Sequence, residues 1–201
     1  MYNIIYEELR IKLTRRFEEQ LKAQLNYHNV GHTLDVVKRA ETLAKLEGIE
    51  DPETLFLLKT AALFHDSGFL EVYAGHELKS CEIMRTYLQP YALAEEKLNQ
   101  IEAIILATRM PQNPQTLLEE IICDADLDYL GRDDFEKISQ RLKDEMLSFG
   151  ILKNYAEWEG LQLNFFDKHH YFTKSARELR DAKKAETLAA LRLQYQQHNK
   201  A

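Results

Sequence analysis

A chain of 201 residues with 45% hydrophobic and 29% charged residues has the length and apolar content for one folded domain with a substantial core. Its net charge of −7 argues against nucleic acid or an anionic membrane surface as the main partner. Two cysteines, Cys81 and Cys123, with no CxxC spacing, imply no secreted disulfide framework. The N-terminal MYNIIYEELR lacks a signal-type apolar segment, and no apolar run approaches bilayer length, so the cytoplasm is the expected compartment.

Seven glycines and four prolines leave little for a turn-rich β protein, and this punctuation falls between helical patterns. Residues 4–25 read as a first helix, with Ile4, Ile5, Leu9, Leu13, Phe17, Leu21 and Leu25 at three- and four-residue spacing. Its stripe could pack internally or pair with a second subunit. Residues 32–47 form a second helix, stopped by Gly48. Asp51-Pro52 supplies an N-cap and a first-turn proline for a helix over 52–65, which is apolar nearly all round and so belongs in the centre. Further helices are predicted over 76–88 after Gly75, over 94–108, over 114–124 from Asn113-Pro114, over 132–148 and over 153–170. Ser175 and Glu178 fit a capping box for a last helix over 175–196. No strand alternation, repeat or linker interrupts this series, so the expectation is a single all-α domain. Residues 174–201 carry 7 Lys/Arg against 3 Asp/Glu, leaving about −11 on the rest; this basic tail either docks on the acidic body or forms a solvated face, the second being preferred.

Four dispersed residues stand out: His32, the adjacent pair His65-Asp66, and Asp126. Their contexts are YHNVGHT (27–33), AALFHDSG (61–68) and CDADLDYLG (123–131). Two imidazoles and two carboxylates suit a borderline or hard divalent ion such as Mn, Fe, Ni, Co, Mg or Zn. A site without thiolate and with room for water suits catalysis more than folding. Adjacent helical residues point about 100° apart, so His65 and Asp66 share one ion only if the helix ends there; Ser67-Gly68 can end it. Taken alone, the pair could equally mark a helix end with its dipole.

The order and contexts of these residues, H…HD…D, resemble the HD superfamily of metal-dependent phosphohydrolases over roughly residues 25–131. The resemblance implies a helical HD-domain fold with the metal site at its centre. It divides the chain into an N-terminal helix (1–24), the HD core (25–131) and a C-terminal helical extension packed on that core (132–201). His32, His65, Asp66 and Asp126 are the implied ligands, with Asp126 preferred over Asp124. YHNVGHT is similar to the YHNxxH segment of cyclic-nucleotide phosphodiesterases in the same superfamily, which implies His28 as general acid to the leaving oxygen. The alternative for His28 is a hydrogen bond that holds the loop, with Asn29 fixing the turn. The HDxxHxG extension of that branch is absent from HDSGFLE, so cyclic-nucleotide specificity does not carry over.

His76 could hold a second metal, contact substrate, or lie on the surface. Where some two-metal relatives place a late histidine, this chain has Thr108 and Arg109, so one ion is favoured over two. Arg109 and Lys79 are candidate phosphate partners, with solvated surface as the alternative for each. His169, His170, Lys174 and Arg177 could cap the pocket, although the aromatics around them read first as packing. The implied activity is hydrolysis of a phosphate ester of a nucleotide or related small molecule, diester or monoester, by metal-activated water, with Asp66 also orienting the nucleophile. A non-catalytic metal- or nucleotide-binding regulatory module is the alternative. The expected partner is a small phosphorylated substrate, with no membrane, nucleic acid disfavoured, and a homodimer left open.

Overall fold

The helix that starts at Asp51-Pro52 is the axis of the molecule. The Asp51 carboxylate accepts from the backbone N–H of Thr54 at 2.8 Å, and Pro52 occupies the first turn. From Phe56 to Phe64 every residue except Lys59 is buried, as an all-round apolar helix requires. In the computed structural model, which describes residues 1–198, nine α-helices are found and no strand among those residues. They are α1 (Tyr2–Gln20), α2 (Val30–Leu46), α3 (Pro52–Phe64), α4 (His76–Leu88), α5 (Glu95–Ala107), α6 (Leu117–Asp126), α7 (Phe135–Ser148), α8 (Tyr155–Lys168) and α9 (Lys174–His198). Short 3₁₀ turns at Ser67–Leu70, Gln89–Tyr91 and Asp128–Gly131 join some of them. Residues 199–201 of the predicted 132–201 extension lie outside the described residues.

Helices α1, α2, α4, α5 and α6 pack around α3 and share one apolar core with it. The α1 stripe of Leu9, Leu13 and Phe17 faces inward, at most 2% exposed, so of its two possible uses it packs internally. A second, smaller cluster joins Tyr27, Leu127, Tyr129, Leu130, Phe135 and Phe166, and this is where α7, α8 and α9 meet the first core. The basic α9 docks on the body, against the preferred solvated reading: Arg180 pairs with the buried Asp128 at 2.6 Å, Lys183 with Asp133 at 2.8 Å, and Arg192 with Asp167 at 2.6 Å. No helix among the described residues is long and apolar enough to cross a membrane.

Several boundaries differ from the sequence reading for identifiable reasons. Helix α1 stops at Gln20, yet Leu25 is buried, so its place in the apolar series reflects packing of a loop. Helix α6 starts at Leu117 because Thr116, not Asn113, is the cap: its hydroxyl accepts from Glu119 N–H at 3.4 Å, and the Glu119 carboxylate accepts from Gln115 N–H at 2.7 Å. Helix α7 starts at Phe135 because Arg132 is drawn into ion pairs with Asp35 and Asp134. The Ser175–Glu178 capping box does not form. Thr173 Oγ1 accepts from Ala176 N–H at 3.2 Å, while Ser175 N–H donates to Glu47 at 2.8 Å and ties α9 to the end of α2.

Candidate metal centre

The YHNVGHT segment folds as a loop followed by a cap. Asn29 is the N-cap of α2 and accepts from Gly31 and His32 N–H at 2.9 and 3.3 Å, while its own amide donates to Asn26 O at 2.7 Å. His32 therefore stands in the first turn of α2. His28 precedes the helix, so the two imidazoles come together (ring centroids 5.9 Å apart) through the turn and not on a shared helical face. Helix α3 ends at Phe64, and the backbone changes from φ −51° at His65 to φ −104° at Asp66. That change is what lets two adjacent side chains turn toward one point. The turn is held from outside: Ser80 Oγ donates to His65 O at 2.7 Å and accepts from Gly68 N–H at 2.8 Å. Gly68 is obligatory for this approach, because a Cβ there would lie 2.0 Å from the backbone oxygen of His76.

From α2, the end of α3 and the end of α6, four side-chain atoms converge. His32 Nε2 lies 3.3 Å from Asp66 Oδ2 and 3.1 Å from Asp126 Oδ1. His65 Nε2 lies 3.1 Å from Asp66 Oδ2 and 3.6 Å from Asp126 Oδ1. The tightest set is His32, His65 and Asp66, whose ligating atoms all fall within 4.8 Å of one another. His32 Nε2, His65 Nε2 and Asp66 Oδ2 are buried and make no hydrogen bond despite these distances. They are misaligned for bonding one another and aimed at a common centre. Buried polar atoms without partners are costly, so a ligand that satisfies all of them at once fits the arrangement. His65 Nδ1 sits 2.8 Å from Ala62 O, which assigns the proton to Nδ1 and leaves the Nε2 lone pair toward the centre, as ligation needs.

The electrostatics ask for positive charge. Burial opposes ionisation at all four residues, and their mutual attraction overcomes it: His32 is pushed up to about 9 by Asp126 and Asp66, and His65 is raised by the same carboxylates. Against the same burial, the imidazoles hold Asp66 and Asp126 well below the usual carboxylate range. A divalent cation supplies that charge with N and O donors it accepts readily. The family model of the HD domain matches residues 29–129, a span that includes all four residues. The chain belongs to the HD-domain superfamily of metal-dependent phosphohydrolases. The search of curated proteins finds no match. Within this HD domain, α2, the end of α3 and α6 carry the converging donor atoms, and α7, α8 and α9 lie beyond the matched span.

The other carboxylates of the DADLD segment are turned elsewhere. Asp124 accepts from Phe172 N–H, Thr173 N–H and Thr173 Oγ1 at 2.7–2.8 Å, and Asp128 is taken by Arg180. His76 Nε2 stands 3.5 Å from Asp66 Oδ1, while Oδ2 is the oxygen near His32 and His65, and the His76 Nδ1 is 3.2 Å from Tyr73 O. Lys79 is bound to Glu82, 2.5 Å away, and to Glu71, and it does not line the cavity beside the centre. Arg109 does line it. His169 is stacked on Phe165 and edge-on to Tyr171, so of its two readings the structure shows packing. Lys174 and Arg177 flank the start of α9, where Arg177 donates to Tyr171 O at 3.3 Å.

That cavity measures about 420 Å³. His28, Asp66, His76, Asp126 and Arg109 line its polar end, and α7 and α8 supply its apolar wall. A separate cleft of about 230 Å³ opens on the other side of His32 and Asp126 and holds Arg132, Lys137 and Arg141; Tyr27 and Tyr129 line both spaces, their rings 5.7 Å apart.

Glu145 escaped the sequence reading. Its side chain is fully buried on α7, bonded to His28 Nδ1, and it accepts from the backbone N–H groups of Tyr27 and His28 at 2.9 and 3.1 Å and from Tyr73 Oη at 3.2 Å. Burial pushes its carboxyl up, but His28 and the two N–H groups outweigh that and hold it below the usual range. A signal was present: Phe135, Ile138, Leu142 and Glu145 follow three- and four-residue spacing, which puts a glutamate in the apolar stripe of α7.

Proposed function

We propose that this HD protein hydrolyses a phosphate ester of a nucleotide or related small molecule, with one divalent ion held by His32, His65, Asp66 and Asp126. The observation that carries this reading is the convergence of four donor atoms, three of them buried without hydrogen bonds. When bound, the ion acts as a Lewis acid that lowers the pKa of water and polarises a phosphoryl oxygen. The protein does the rest. Asp66, holding the ion through Oδ2, would at the same time orient the attacking water. Arg109, in the cavity lining, meets the phosphoryl oxygens. His76 stands beside Asp66 Oδ1 and donates to substrate. His28 stacks on Phe69 with ring centroids 4.1 Å apart and is held through Nδ1 by Glu145, which leaves Nε2 to protonate the leaving oxygen. Lys79, committed to two glutamates, has no part in this scheme.

The deciding experiment compares bis-p-nitrophenyl phosphate with p-nitrophenyl phosphate, with added Mn²⁺ and with chelator. Chelator-sensitive turnover, reduced more than about 100-fold in Asp66→Ala together with loss of bound metal, is the expected result, since removing even outer partners of metal ligands costs 10–100-fold. The preferred ester distinguishes diesterase from monoesterase. Full turnover in Asp66→Ala would overturn the assignment. Metal and nucleotide binding without turnover on any ester would make the chain a regulatory module.

A further inference from the structure

The cavity beside the metal centre is not polar throughout. Away from Asp66 and His28 its wall is built by Leu142 and Met146 of α7 and by Trp158, Leu161, Phe165 and Phe166 of α8. Those helices lie outside the span matched by the HD domain, so their share of the wall, which includes Gln162 of α8, belongs to the chain's own extension, beside Met110 and Leu127 of the matched span. Its volume of about 420 Å³ falls within the range of small-molecule sites, which are mostly apolar with a few polar groups at one end. Arg109 is the one Lys or Arg among the residues lining it; Lys137 and Arg141 face the other cleft, beyond Tyr27 and Tyr129. A phosphate ester whose organic part carries further negative charge would leave that charge against aromatic rings, with Glu77 also in the lining and Arg109 the one cation there. An apolar ring there would exclude water from the wall and add the free energy of burying a ring-sized surface.

Resting on the hydrolase reading above, we infer that α7 and α8 form the specificity wall of the site, and that the substrate is a phosphate ester with a ring-bearing organic group that carries no further negative charge, seated against Trp158, Leu161 and Phe165. The continuity of the apolar wall with the residues at the metal centre is what commits the space to the ester's organic part.

Two non-hydrolysable probes with one headgroup test this on the full chain with Mn²⁺: methylphosphonate and 4-nitrobenzylphosphonate, titrated by calorimetry. The ring-bearing probe should bind about tenfold or more tighter, the scale expected for burying a ring. It should also quench the fluorescence of Trp158, the only tryptophan. Leu161 is 45% exposed, so Leu161→Asp is compatible with folding; it should reduce the ring-bearing probe's advantage over methylphosphonate to less than twofold. Equal affinity for the two probes, or a preference that survives Leu161→Asp, overturns the inference. So does a concentration-dependent dimer that Leu161→Asp converts to monomer, which would give the wall to a second copy. Hydrolysis of test esters without any ring preference sinks this inference alone. Ring preference without hydrolysis sinks the hydrolase reading and leaves a ligand site. No binding of either probe overturns both.

Discussion

The helices that carry the converging donor atoms and the helices that wall the cavity are built in opposite ways. Helix α3 delivers His65 and Asp66 from the middle of the core, with every residue from Phe56 to Phe64 except Lys59 buried and its end pinned by Ser80. Helix α8 presents its aromatic face to the cavity while Leu161 remains 45% exposed, and α9 behind it leaves Leu179 and Leu193 at 47% and 61% exposure. One region is over-determined by packing. The other is held mainly by ion pairs and a small apolar cluster, and such a surface tolerates change in what it contacts. A metal centre needs the first kind of support, since ligand geometry must be pre-set. A substrate wall can be of the second kind.

Unequal responses to truncation would sharpen that contrast. Leu58→Ala in α3, at 0% exposure, should cost about 2–5 kcal/mol in urea unfolding. Leu193→Ala in α9 should stay within about 0.5 kcal/mol. Similar costs at the two positions would break the comparison. Gly68→Ala should cost about 1–3 kcal/mol, because the start of α4 must shift to admit the methyl group. Metal affinity should fall with it, as the turn carrying His65 and Asp66 moves; an unchanged unfolding midpoint would show that α4 is not pinned there.

The smallest effect concerns the link between the two regions, Glu145 of α7 gripping the loop that carries His28. Its carboxyl is held below the usual range in the folded chain, so its ionised form stabilises the fold at pH above the unfolded value of about 4.3. That contribution is lost as pH falls below about 4.3 and through the lowered native value. Unfolding curves across this window should show wild type losing stability more steeply than Glu145→Gln, by at most about 1.4 kcal/mol per pH unit for one proton. Parallel curves would mean that Glu145 does not couple the regions through its charge.

Much of this molecule was legible one helix at a time. The Asp51-Pro52 start, the all-round apolar character of α3 and the Gly75 boundary of α4 are local matters of capping and burial, and they appear in the structure where the residues place them. The resemblance in YHNVGHT, AALFHDSG and CDADLDYLG likewise singled out residues that the fold brings together. What sequence could not decide was which way a side chain turns when neighbours in the chain compete. Asp124, Asp126 and Asp128 are the same residue type two positions apart, and it was the resemblance that preferred Asp126 over Asp124, without saying where the other two would turn. Only the packing of α9 and of the segment that leads into it decides that Asp124 receives the Phe172 and Thr173 N–H groups and Asp128 receives Arg180, leaving Asp126 to face the imidazoles. The role of Glu145, the withdrawal of Lys79 into glutamate pairs and the apolar wall of α8 depend in the same way on partners distant in the chain. Local propensity and periodicity are short-range properties that sequence carries directly; hydrogen-bond partners and cavity walls are contacts between segments, and they exist only after the chain has closed on itself.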